Sequence, residues 1–177
     1  MMALKKVLTI AGSDTSAGAG MQADLKTFQE LDVYGMVALT SIVTMDKETW
    51  SHDVTPIDMN VFEKQLETAI SIGPDAIKTG MLGTQDIIKR AGDVFVESGA
   101  DYFVVDPVMV CKGEDEVLNP GNTEAMIQYL LPKATVVTPN LFEAGQLSGL
   151  GKLTSIEDMK KAAQVIYDKG TPHVIIK

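Results

Sequence analysis

The sequence has little of what extracellular or nucleic-acid-binding proteins usually carry. It contains one cysteine, Cys111, so no internal disulfide can form, and this suits a reducing compartment. It has 15 Lys and Arg against 24 Asp and Glu, which gives a formal net charge of −9. No basic stripe is present that would attract nucleic acid or an anionic membrane surface. We therefore expect neither as a partner.

Long hydrophobic runs are also missing. No stretch approaches the roughly 18 apolar residues of a membrane-spanning helix, and the apolar run near the N-terminus is too short for a secretory signal. We therefore expect a soluble, cytoplasmic protein. Such an acidic chain can still hold a phosphate locally, through backbone amides and one or two cations.

What the sequence does have is an alternation of short β-rich runs with helical patterns. Its 177 residues, 45% of them hydrophobic, are enough for one globular domain with a buried core. Strands that alternate with helices indicate βαβ units and a mostly parallel sheet, which is an α/β fold. The predicted strands are 6–11, 37–45, 76–79, 102–106, 135–138 and 173–177. Helical spacing of apolar residues predicts helices over 59–70, 87–95 and 156–166.

The last predicted strand, in "HVIIK", stops at the final residue. A parallel strand with no covering helix after it leaves a face or an edge of the sheet poorly protected. We therefore expect these residues to be part of a longer domain.

A run of small residues, "AGSDTSAGAG", follows the first strand. A P-loop is excluded, because no Lys follows the glycines in G-x-x-x-x-G-K-[ST] spacing. Gly18, Gly20 and Ala23 fit the G-x-G-x-x-A spacing of a dinucleotide fingerprint. That interpretation is disfavoured because other residues separate the strand from the glycines, and because the charge of Asp24 would oppose a pyrophosphate.

Two other interpretations of this glycine turn stay open. It can form a wall against a flat small substrate, since ligands of such sheets bind beyond the carboxyl ends of the strands. Gly12 would then let the backbone approach the ligand, and Asp14 and Asp24 would supply acceptors. Alternatively, the segment is a plain strand–helix turn that Asp14 or Ser16 caps.

Several motifs, in order along the whole chain, resemble one known family. They are "LTIAGSDTSAGAGMQADLKTF", "KTGMLGT", "VVDPVMVCKG", "LLPKATVVTPNLFEA" and "VIIK". They resemble the vitamin kinases of the ribokinase superfamily, which comprise hydroxymethylpyrimidine (phosphate) kinases and bacterial pyridoxal kinases. The resemblance implies a ribokinase-like three-layer sandwich with a mostly parallel central sheet, of which residues 1–177 would be the N-terminal portion. It also implies transfer of the γ-phosphoryl group of ATP to a CH2OH group on a pyridine or pyrimidine ring.

The resemblance further implies which residues meet ATP and Mg2+. Asn140 would contact the nucleotide phosphates, Glu143 would hold Mg2+ directly or through water, and Lys177 would reach the transferred phosphate. Asp106 would serve catalysis within the Mg2+–phosphate network, as suits the preference of Mg2+ for carboxylates with retained waters. From the residues alone, Glu143 could instead favour a helix dipole, and Asp106 could cap the following loop.

For the substrate, the resemblance implies apolar walls at Met81 and Val108, with "VMVCKG" as a mobile flap. The chain reads Met45 where pyrimidine kinases commonly carry a glutamine, and a thioether cannot offer a paired donor and acceptor. His52 lies in "WSHD", which resembles the pyridoxal-kinase branch, and could contact a ring hydroxyl or an aldehyde. We therefore favour pyridoxal over hydroxymethylpyrimidine as the substrate.

The family's second glycine-rich segment, with its catalytic base, follows the strand that "VIIK" resembles and is not among these residues. A non-catalytic vitamin-binding module is therefore an alternative. The resemblance also implies a homodimer, since members are commonly dimers.

Cys111, in the predicted flap, could react with an aldehyde substrate. A thiolate near a bound aldehyde can add to it and form a hemithioacetal, and pyridoxal has an aldehyde whereas pyridoxine does not. The alternative is that Cys111 is a small buried hydrophobic residue. We expect Cys111→Ala to lower turnover of pyridoxal more than turnover of pyridoxine. Equal losses for the two vitamers would contradict this role.

Overall fold

The computed structural model describes residues 4–109 and 120–177. Over these ranges strands and helices alternate for most of the chain, and the expected α/β fold is confirmed. The strands are β1 (Lys6–Asp14), β2 (Tyr34–Met45), β3 (His52–Pro56), β4 (Ala76–Thr79), β5 (Tyr102–Val105), β6 (Val136–Val137) and β7 (His173–Val174). The helices are α1 (Gly20–Glu30), α2 (Met59–Ile72), α3 (Gln85–Ser98), α4 (Pro120–Tyr129), α5 (Leu141–Ser148) and α6 (Ile156–Asp168).

The strands form one sheet in the order β3-β2-β1-β4-β5-β6-β7. Neighbouring strands are parallel, apart from the antiparallel pair of β2 and β3. The chain passes from β1 to β2 on one side and later places β4 on the other side of β1. The connections therefore diverge beyond the carboxyl ends of β1 and β4, and a crevice opens where they part.

Helices cover both faces of the sheet. A Cβ added to Gly35 in β2 would lie 2.8 Å from Leu25 and 2.9 Å from Phe28, so α1 packs directly on that face. The next residue, Met36, points to the opposite face and joins the core that α2 also enters. Helices α2 to α6 contact one another in succession. The result is the expected three-layer arrangement.

The central strands are anchored by a dry core. Leu8, Ile10, Ile77 and Phe103 are fully buried, and burial of each such side chain contributes about 1.5–3 kcal/mol. Phe95 of α3 stacks on Phe103 with the ring centroids 4.8 Å apart. Among the helices that the structure describes, none is long and apolar enough to cross a membrane.

Several features of the sheet differ from the sequence prediction: β1 runs three residues past its predicted end, to Asp14, and β6 and β7 are shorter than predicted. Strand β2 begins at Tyr34, three residues before the predicted start. Strand β3 was not predicted at all, because its sequence "HDVTP" has few apolar residues and lies at the partly exposed edge of the sheet. This unpredicted strand matters for the site, since it forms a hairpin with β2.

Candidate active site

A cavity of about 1120 Å³ opens at the switch point of the sheet, beyond the carboxyl ends of β1 and β4. The glycine turn, the β2–β3 hairpin, the segments after β4 and β5, and the start of α5 contribute to its walls. The predicted site residues that line it are Gly12, Asp14, Met45, His52, Met81, Asp106, Val108, Asn140 and Lys177. Asp24 and Glu143 are not part of this lining, and Cys111 lies outside the described residues.

Asp14 holds the glycine turn together. Its Oδ1 accepts from the backbone N of Ser16 at 2.9 Å and from the Ser16 hydroxyl at 2.8 Å, and its Oδ2 accepts from the backbone N of Ala19 at 2.8 Å. Burial opposes ionisation of Asp14, but hydrogen bonds from Ser16, Ala19 and Gly18 outweigh it and lower the pKa of this carboxyl. Asp14 thus holds the turn at a position that also faces the cavity, but it does not cap α1, whose N-cap is Ala19 without a side-chain cap bond.

Asp24 is occupied by protein partners. Its carboxylate accepts from the Nζ of Lys78 at 2.9 and 3.0 Å and from the hydroxyl of Thr9 at 2.6 Å. Lys78, rather than Asp24, lines the cavity. In this structure Asp24 is the partner that positions Lys78, and its role as a substrate acceptor stays a prediction.

Sequence reasoning missed Lys78 as a site residue. A signal was available, because Lys78 is a charged residue in the otherwise apolar run "AIKTGML". A buried or half-buried charge needs a partner, but the sequence does not show that Asp24, 54 residues away, is that partner.

The β2–β3 hairpin brings the predicted substrate contacts Met45 and His52 together. They are direct neighbours in the antiparallel register, and both line the cavity. Met81 lies across from the hairpin, where its carbonyl accepts from the Thr40 hydroxyl at 2.6 Å. Trp50, in the hairpin loop, also lines the cavity and was not among the predicted site residues.

Asn140 and Glu143 form a capping box at the start of α5. The Asn140 Oδ1 accepts from the backbone N of Glu143, and the Glu143 Oε2 accepts from the backbone N of Asn140, both at 2.8 Å. This is the helix-terminus role that the residues alone left open for Glu143. The same box leaves Asn140 at the cavity wall and Glu143 buried directly behind it.

The side chains of Lys177 and Asp106 lie close to Glu143 of this capping box. The Lys177 Nζ lies 3.0 Å from the Asp106 Oδ1, and the Thr138 hydroxyl donates to the same oxygen at 3.4 Å. Burial raises the pKa of Glu143, and the charge of Asp106 adds to this, while a hydrogen bond from Asn140 and the charge of Lys177 partly oppose it. Within residues 4–109 and 120–177, no group of three or more His, Cys, Asp or Glu side chains is arranged to hold a metal ion.

These features define an α/β domain that can hold a small ligand between an apolar hairpin and a charged helix terminus. The chain belongs to the phosphomethylpyrimidine kinase family, whose model matches residues 14–177. The resemblance to the vitamin kinases is thereby confirmed.

Individual relatives with high sequence identity to this chain are named as pyridoxine or pyridoxal kinases. The chain is 99% identical over 176 residues to a Staphylococcus epidermidis protein named "Putative pyridoxine kinase", covering 99% of this chain and 64% of that protein. It is 54% identical over 177 residues to the pyridoxine kinase of Bacillus subtilis, covering 99% of this chain and 65% of that protein. A structure of Staphylococcus aureus pyridoxal kinase in complex with AMP-PCP and pyridoxal matches with a TM-score of 0.94 and 83% identity, over 99% of this chain and 62% of that chain. The chain therefore spans slightly less than two thirds of the length of these relatives.

The raised pKa of Glu143 predicts a pH-dependent effect of Glu143→Gln. Between the ordinary pKa of a glutamate and the raised value, the folded state holds a proton that the unfolded chain has lost, so the free energy of unfolding falls as pH rises. Glutamine keeps an oxygen for the backbone N of Asn140 and carries no charge. In the full-length protein with a chelator present, we expect Glu143→Gln to raise Tm at pH 7 by a few degrees. The gain should shrink as pH falls toward 4.

Thermal unfolding of both proteins from pH 4 to pH 8 tests this prediction. Glu67→Gln, at an exposed position of α2, is the matched control for losing one negative charge, and we expect it to change Tm little at any pH. A Glu143→Gln protein that is less stable than wild type at pH 7, or whose difference does not vary with pH, would contradict the assignment.

Proposed function

We propose that the protein containing this chain is an ATP-dependent kinase that phosphorylates the hydroxymethyl group of pyridoxal and pyridoxine. The observation that carries the proposal is the composition of the cavity described above. One part of its wall is apolar and suits a ring, and another holds an asparagine, a lysine and a carboxylate that suit phosphates. The likeness to a pyridoxal kinase bound to AMP-PCP and pyridoxal supports the same assignment.

The charged part of the cavity would receive the nucleotide. The Asn140 amide can donate to a phosphate oxygen, and the Lys177 ammonium can approach the transferred group, where positioning and charge stabilisation account for most of the catalysis. Lys177 is held by Asp106 at 3.0 Å and is half exposed, so its other N–H groups are available to a ligand.

The same residues fit a magnesium ion bound with the nucleotide. Asp106 lies close enough for its charge to contribute to the raised pKa of Glu143, so a divalent cation would relieve this like-charge repulsion. Mg2+ commonly uses one or two carboxylates together with water and phosphate oxygens, so Asp106 and Glu143 would hold it, in part through water. When bound, the ion would neutralise charge on the phosphate oxygens.

The apolar part of the cavity would receive the vitamin ring. Met45, Met81 and Val108 would contact its faces, as apolar side chains do in most small-molecule sites, and Gly12 would let the turn approach its edge. His52, with a ring nitrogen that can donate or accept, would contact the ring hydroxyl or the aldehyde. We also propose that the Cys111 thiol adds to the aldehyde of bound pyridoxal and forms a hemithioacetal.

The alternative is a hydroxymethylpyrimidine/phosphomethylpyrimidine kinase of thiamine biosynthesis, and the family description supports it. Met45 argues against it, since the thioether offers no donor for a pyrimidine edge. We further propose a cytoplasmic homodimer in which residues 1–177 belong to one kinase domain. The use of ATP and the presence of a single cysteine among these residues support a cytoplasmic location. The dimer is proposed because members of the family are commonly dimers.

Comparative turnover tests the proposal. The full-length protein should phosphorylate pyridoxal and pyridoxine with ATP and Mg2+ at a higher kcat/KM than hydroxymethylpyrimidine. Met45→Gln should shift the ratio toward hydroxymethylpyrimidine by about three- to tenfold, the worth of one added hydrogen bond.

Met159→Gln, in α6 and away from the cavity, is the control for a methionine-to-glutamine exchange and should leave the ratio unchanged. A wild-type protein that prefers hydroxymethylpyrimidine would establish the alternative. A protein that binds the vitamers without ATP turnover would instead be the non-catalytic module.

A further inference from the structure

The cavity is lined by an exposed aromatic side chain, that of Trp50, to which none of the assignments above gives a role. Trp50 lines the cavity, yet 65% of its surface is exposed. It is the only tryptophan among the 177 residues. Single exposed apolar residues are ordinary on a protein surface. Trp50 differs from them in two ways: it lies at the cavity, and its backbone is held in an uncommon conformation.

The backbone of Trp50 is fixed in an unfavourable conformation. Its φ is +59°, in the left-handed region, which is uncommon for a bulky residue that is neither Gly, Asn nor Asp. Such a conformation persists only where the surrounding structure determines it, and it is often found at ligand-binding sites.

Asp46, at the other end of the loop, holds the backbone around Trp50 through hydrogen bonds. Its Oδ1 accepts from the backbone N of Glu48 at 2.9 Å and from the backbone N and hydroxyl of Thr49 at 2.8 and 3.0 Å. The backbone N of Trp50 donates to the Asp46 carbonyl, and the backbone N of Asp46 donates to the Ser51 carbonyl, both at 2.9 Å. The loop is therefore closed by hydrogen bonds from both sides, and the point at which the Trp50 side chain leaves the backbone is fixed.

The cavity wall to which Trp50 belongs also carries residues that are suited to a flat ring. Val43, Met45 and His52 come from the same hairpin, and Met81 and Val108 come from the ends of the central strands. A wall of this kind gives a heteroaromatic ring apolar contact on its faces, and an indole at the rim can add an offset-stacked or edge-to-face contact.

We propose that Trp50 packs against the ring of the bound vitamer and sets the affinity for that ring, without taking part in phosphoryl transfer. The inference rests on the proposed function for the identity of the ring. An interaction made equally in the ground state and the transition state changes KM and leaves kcat unchanged. Removing the indole should therefore raise KM for pyridoxine by about three- to tenfold and keep kcat within about twofold.

Two substitutions separate loss of the ring from damage to the hairpin. Trp50→Gly removes the indole, and glycine adopts a φ of +59° without strain, so the hairpin is expected to keep its fold. Trp50→Phe retains an aromatic face and should recover most of the affinity. Tyr102→Ala, at an exposed aromatic residue where β5 begins, is the control and should leave KM and kcat unchanged.

A fluorescence titration gives a readout that does not depend on turnover. The probe is pyridoxine, which has no aldehyde to react with lysines and whose ring absorbs near the indole emission. Subtracting the Trp50→Phe signal from that of the full-length wild type isolates the emission of Trp50. Pyridoxine should quench this emission in a saturable way, and the midpoint should move little when AMP-PCP is added.

The outcomes distinguish the inference from the function on which it rests. If wild type phosphorylates pyridoxine, but Trp50→Gly has an unchanged KM and the Trp50 emission does not respond, the role of Trp50 is wrong and the kinase function stands. If neither vitamer is turned over, the proposed function fails. The titration then still decides whether Trp50 contacts a bound pyridine ring. A fall in kcat with unchanged KM would also overturn the inference.

Discussion

The position of β1 between β2 and β4 is the constraint on which the rest of the molecule depends. Parallel strands require crossover connections, and the segments that follow their carboxyl ends all lie at the same edge of the sheet. Because the connections leave β1 and β4 in opposite directions, they cannot cover this edge between them. The cavity is therefore a consequence of strand order. The glycine turn, which continues directly from β1, forms part of its wall.

Much of this arrangement could be predicted from the sequence. The periodicity of the apolar residues indicated the α/β class, and the ends of the predicted strands, together with the resemblance to the vitamin kinases, identified most of the cavity wall. Two features could not be predicted in this way. Strand β3 is polar and exposed, so hydrophobicity does not mark it. The pairing of Asp24 with Lys78 depends on how α1 packs on the sheet, which no local pattern encodes.

Pairing of opposite charges explains how an acidic protein can offer cations to a phosphate ligand. Lys78 is held by Asp24 and Lys177 by Asp106, each at about 3 Å. Such pairing removes the net attraction at long range but leaves ammonium groups fixed in direction, with N–H groups to spare. A formal charge of −9 is thus compatible with a phosphate site, provided that the ligand approaches closely enough to bond with individual donors. A net negative charge disfavours extended polyanions but is compatible with a nucleotide.

Glu143 shows why a structural role and a functional role need not compete for one residue. As the third residue of α5 it closes the capping box with Asn140, which fixes the start of the helix and the direction of the Asn140 side chain. The same position buries its carboxylate near Asp106, and this raises its pKa. A helix cap without a nearby carboxylate would have no such electrostatic conflict. The conflict costs stability at neutral pH, and a cation bound between the two carboxylates would remove it. A glutamine at this position could also close the capping box, whereas a carboxylate in addition interacts favourably with the helix dipole and could take part in holding a cation.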